Sequence, residues 1–71
     1  MTNDETLSEA ISIAKNEPLT TEHAKRFGEL LATVPEAIEY QMADIFSMFV
    51  RKANDQENGN ELMAIVDGAT I

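Results

Sequence analysis

The longest periodic segment of the chain, residues 34–53 (VPEAIEYQMADIFSMFVRKA), constrains the fold most. Ile38, Met42, Ile45, Phe46, Phe49, Val50 and Ala53 recur at the spacing of one face of an α-helix, a stripe about 100° wide. Every other periodic stretch is shorter. The remaining elements are therefore expected to dock onto this helix, which is predicted to run from about Pro35 to Ala53. Thr33 and Glu36 have capping-box spacing at its start, and Pro35 is acceptable in a first turn.

Two shorter helices are predicted ahead of it. Residues 1–5 (MTNDE) are polar and expected to fray. Thr6 and Glu9 then read as a capping box, and Leu7, Ala10, Ile11 and Ala14 form a thin apolar face with Ile13 off the stripe. This helix should stop near Asn16, because Pro18 disfavours helical geometry at Glu17. Thr20 is the expected N-cap of the next helix, with Leu19 packing back on Ala24. Its stripe is Ala24, Phe27, Leu30, Leu31 and Val34. Gly28 costs about 1 kcal/mol there relative to alanine, which a close helix crossing would explain. The second and third helices are expected to form a hairpin.

Residues 54–60 (NDQENGN) contain no apolar side chain and read as a polar turn. Asn60 is a candidate cap for a short helix through Leu62, Met63, Ile65 and Val66, closed by Gly68. A strand over Met63–Val66 is the alternative, disfavoured because a lone hairpin is rarely stable. The terminal Ile71 is expected to pack, on the chain itself or on a neighbouring subunit. The expected fold is all-α: one small domain over 1–71, with a helical hairpin, an N-terminal helix and a short C-terminal helical segment. The expected core is Leu7, Ile11, Phe27, Leu30, Leu31, Val34, Ile38, Met42, Ile45, Phe46 and Phe49.

Size and charge bear on function. A chain of 71 residues buries only about 60% of the surface its unfolded form exposes. Such a core supplies no more than about 3–5 kcal/mol. There is no cysteine, so neither a disulfide nor a thiolate metal site adds to that. Homo-oligomerisation is the expected supplement. Thirteen acidic residues against five basic ones give a formal charge of −8, which opposes binding to nucleic acid or to anionic membrane surfaces. No apolar run is long enough to span a membrane, and the acidic N-terminus is unlike a signal peptide. A cytoplasmic location, which includes the interior of an infected host cell, is the expectation.

No enzymatic constellation emerges. His23 is the only histidine, and no cysteine or glycine-rich phosphate loop accompanies it. Aligning Gly59 with the turn glycine of a calcium loop places Ile65 where the bidentate acid belongs, so no metal site is expected. No cofactor is expected either. The leading functional expectation is a non-enzymatic acidic interaction module. It fits a phage- or plasmid-type inhibitor or regulator that binds a larger protein, such as a basic surface of a nucleic-acid-handling machine. Glu29, Glu36, Glu39 and Asp44 would supply charge, with Tyr40 and Met48 as apolar anchors off the core stripe. One alternative is a homo-oligomeric binder of a small anion or nucleotide that uses His23, Lys25, Arg26, Arg51 and Lys52. A second is a helix-turn-helix-like regulator, from the spacing of Ala24, Gly28 and Val34. Its recognition helix would open with Glu36 and Glu39, which disfavours phosphate contact.

Overall fold

In the computed structural model, which describes residues 2–70, four α-helices and one 3-10 turn account for all the regular structure. They are α1 (Asn3–Lys15), α2 (Thr21–Ala32), the 3-10 turn (Glu36–Ile38), α3 (Glu39–Asn54) and α4 (Gly59–Thr70). No strand occurs among the described residues, so the segment after the polar turn is helix and the strand alternative falls. The expected packing of Ile71 lies outside the described residues.

The helix ends show which polar groups won. α1 starts three residues before Thr6. Thr2 accepts from the Glu5 amide at 3.1 Å, and the Glu5 carboxylate accepts from the Thr2 amide at 2.8 Å. The capping box thus forms one turn earlier than the Thr6–Glu9 reading, and Thr6 lies inside the helix. Its hydroxyl is buried but satisfied, donating to the Thr2 carbonyl at 3.1 Å. Thr20 caps α2 as expected, accepting from the His23 amide. The Thr33–Glu36 capping box is absent. The Thr33 hydroxyl donates back to the Glu29 carbonyl at 3.2 Å and so belongs to the end of α2. The chain then passes Pro35 into the 3-10 turn before α3 begins at Glu39. At the other end of the chain, α4 begins at Gly59 and runs through Gly68 to Thr70, so Gly68 does not close it.

Core packing follows the long stripe and corrects the short one. Ile38, Met42, Ile45, Phe49 and Ala53 are buried, and Phe27 stacks on Phe49 with ring centroids 4.8 Å apart. Phe46 packs at the edge of this group, 6.2 Å from Phe27. On α1 the buried set is Thr6, Ala10, Ile13 and Ala14. Ile11, expected inside, is exposed, and Ile13, expected off the stripe, is buried. Both stripes share Ala10 and Ala14, and residues 11 and 13 lie about 200° apart, so only one isoleucine can face inward. Leu7, Leu31 and Val34 are only partly buried, whereas Leu19, Leu62 and Val66 complete the core.

The helices do not pair as the expected α2–α3 hairpin. α2 lies along α4, and α1 lies along α3, while α2 meets α3 through Phe27. Gly28 makes the α2–α4 contact possible. A Cβ there would stand 2.6 Å from both the Ala69 Cβ and the Val66 carbonyl oxygen. Leu19 and Gln56 meet at the start of these two helices and Gly28 and Thr70 meet further along, so α2 and α4 run in the same sense. The radius of gyration is 11.1 Å, the value of about 11 Å usual for a compact domain of this length.

Candidate functional site

The loops at one end of the molecule are tied together by polar side chains, and this sets which charges remain free to act. Gln56, in the turn between α3 and α4, pairs with the backbone of Leu19 as a second peptide would. Its Oε1 accepts from the Leu19 amide at 2.6 Å and its Nε2 donates to the Leu19 carbonyl at 3.1 Å. Lys52 donates to the last carbonyl of α1, Lys15 O, at 2.9 Å and pairs with Glu17 at 3.2 Å. Asn16 donates through Nδ2 to the Pro18 carbonyl at 2.8 Å, which identifies that atom as the amide nitrogen. The same nitrogen lies 3.3 Å from His23 Nδ1, and the Thr20 hydroxyl lies 2.8 Å from it. An amide nitrogen only donates, so Nδ1 accepts and the neutral ring carries its proton on Nε2. His23 thus serves the α1–α2 connection.

Arg26 is engaged in the same structural way. Its guanidinium forms a two-pronged pair with the Glu9 carboxylate, 2.9 Å from Nη2 to Oε1, and reaches Glu29 at 3.7 Å. These bonds hold the Glu9 carboxyl below its usual range and raise Arg26 further. The pair straps α1 to α2. Of the residues in the anion-site alternative, then, His23 and Arg26 hold α1 and α2 together, and Lys52 caps α1. Lys25 is exposed on α2, and Arg51 is exposed on α3.

Two surface depressions border the expected functional residues. One, of about 650 Å³, lies between the C-terminal ends of α1 and α3, with Ala14, Pro18 and Met48 among its apolar walls and Lys15, Arg51 and Lys52 among its charges. Three of the chain's five basic residues therefore meet there. Glu17 and Asp55 also line it. The other depression, of about 480 Å³, is lined by Glu36, Glu39, Tyr40 and Ala43 at the start of α3. Tyr40 is 89% exposed, the most exposed large apolar side chain of the described residues.

The expected partner-binding residues fall around α3 in two groups. Glu36, Glu39 and Tyr40 share the smaller depression, and Met48 lies in the groove between α1 and α3, about 12 Å further along the helix axis from Tyr40. Asp44 is exposed between them, and Glu29 is exposed on α2 beside Arg26. Sequence reasoning missed Gln56 and Lys15. A glutamine in a polar turn carries no mark of its role, and Lys15 reaches the groove only because α1 ends beside α3. Among the described residues no three His, Asp or Glu side chains converge as a metal site requires, and no helix is long and apolar enough to cross a membrane. Comparison with protein-family models, curated proteins and solved structures finds no match.

Proposed function

We propose that this chain is a non-enzymatic interaction module whose working surface is the outer face of α3. The observation that carries this reading is Tyr40, a tyrosine with 89% of its surface in water and carboxylates on either side of it. An amphipathic ring in that position costs little entropy to immobilise and gains a large apolar contact when covered. Ile11 and Met48, the other exposed large apolar side chains of the described residues, are 37% and 38% exposed, so Tyr40 stands out far more than either.

The surroundings favour one kind of partner. Glu36, Glu39 and Asp44 flank the ring, on a chain of formal charge −8. The complementary surface is a protein with an apolar recess for the ring and basic groups at its rim. A larger protein of this description, held in an inactive or altered state, would make the chain an inhibitor or regulator.

Capture experiments test the reading. The intact chain and the double variant Tyr40→Ala/Met48→Ala are each used as bait, with circular dichroism to show that both are helical. Loss of the bound protein from the folded variant is expected. Undiminished capture by the variant contradicts the assignment of this face.

A further inference from the structure

The chain itself carries the surface that the face of α3 requires. We infer that the outer face of α3 pairs with the same face of a second copy, antiparallel and about a two-fold axis, with Tyr40 of each copy entering the α1–α3 groove of the other. This rests on the reading of α3 as the interaction face and names its partner.

Two observations converge. First, Tyr40, Asp44, Ser47 and Arg51 are all exposed and recur at spacings of 4, 7 and 11 residues, one row along the helix. Tyr40 and Arg51 fall within about 20° of each other around the axis. Second, the row is polarised. Glu36, Glu39 and Asp44 make its beginning acidic, while its end holds Arg51, Lys15 and Lys52 against Glu17 and Asp55, with Lys52 paired to Glu17, so the end is only weakly basic and Arg51 is the cation on the row itself. A parallel pair sets like charge on like charge, whereas an antiparallel pair sets each acidic end on a basic one. The dipoles of the two helices favour the same arrangement. With Tyr40 opposite Arg51 of the second copy, Asp44 stands opposite Ser47, and each contact occurs twice, as a two-fold interface demands.

The groove supplies what the ring needs. It is open to solvent, and Met48 and Pro18 are its exposed apolar side chains, against which a ring can lie. Arg51 at its edge brings a guanidinium to the ring face, a cation–π arrangement. Opposing this, the charge of −8 on each copy repels the other at long range, so the dimer is expected only at elevated protein concentration.

Sedimentation equilibrium of the full chain from roughly 10 μM to roughly 1 mM is the test. The mass is expected to double with concentration. Tyr40→Ala and Arg51→Glu should each weaken the dimer by about tenfold or more. Lys25→Glu makes the same charge change on α2 and should leave it within about twofold. A mass that stays monomeric throughout, or a dimer that neither α3 variant weakens, overturns the inference. Direction is read separately, from nitroxide labels on Glu36→Cys, since the chain has no other cysteine. Antiparallel pairing sets the two labels roughly 30 Å apart along the helix axes. Labels in close proximity overturn it. A chain that stays monomeric but loses a different captured protein on Tyr40→Ala overturns the dimer and leaves the interaction face standing. A dimer that weakens as described, from a chain whose only captured partner is itself, supports the inference and removes the larger partner.

Discussion

A methyl group has opposite consequences at two glycines of this chain. At Gly28 it would stand 2.6 Å from both the Ala69 Cβ and the Val66 carbonyl oxygen, so α2 and α4 must separate. Gly28→Ala should cost about 1–3 kcal/mol despite the better helix propensity of alanine. At Gly68, also within a helix, an added Cβ meets nothing within 4 Å. Gly68→Ala should stabilise by about 0.5–1 kcal/mol. Urea unfolding of the two variants measures both signs. Gln56→Ala is a third residue-scale case. It leaves the amide of buried Leu19 without its acceptor and should cost about 1–3 kcal/mol, seen as a lower Tm. The close crossing at Gly28 was legible in the sequence, because a glycine inside a helical pattern asks for a reason. The Gln56 clasp was not, because its partner is a backbone 37 positions away and backbone groups carry no sequence mark.

At the scale of elements, α1 shows how a helix can be recognised and still be rotated wrongly. Its alanines fit two phases, and the choice between Ile11 and Ile13 depends on what lies opposite. Thr6 helps to decide it, since a threonine that returns its proton to the helix backbone can be buried. The Glu9–Arg26 strap between α1 and α2 makes a pH prediction. Folding holds the Glu9 carboxyl below its ordinary value of 4.5, through the bonds from Arg26. The unfolded chain therefore binds the proton more readily, so the strap contributes stability above that value and loses it as pH falls through the lower, folded value. Many other carboxylates titrate in the same range, so the informative quantity is the stability of the native chain minus that of Glu9→Gln. This gap should be positive at about pH 7 and shrink as the pH falls below 4.5 toward the lower, folded value. A gap that does not change with pH contradicts the assignment. Because both side chains are partly exposed, solvent screening keeps the effect to about 1 kcal/mol or less.

Across the whole molecule, the long stripe of α3 and the all-helical class were both legible, since period and length carry them. The pairing of helices was not. Adjacent helices suggest a hairpin, yet the glycine at position 28 and the small Ala69 let α2 run along α4, and α1 takes the flank of α3. That arrangement leaves the other side of α3 uncovered, with Tyr40 standing out from it and the α1–α3 groove beside its far end. Tyr40 and Met48 were legible as off-stripe apolar residues. The groove was not, because Lys15 and Arg51 are 36 residues apart and come together only through the packing of α1 on α3.

The most direct measurement is photo-crosslinking from two positions, with benzoylphenylalanine placed at Tyr40 in one chain and at Asp67, exposed on α4, in another. Irradiation in cells of origin or in concentrated solution reports which face meets another protein, whether a second copy or a larger partner. The expected result is a discrete product from position 40 and none from position 67. Products from position 67 alone, or none from position 40 under any condition, contradict the assignment of α3 as the working surface.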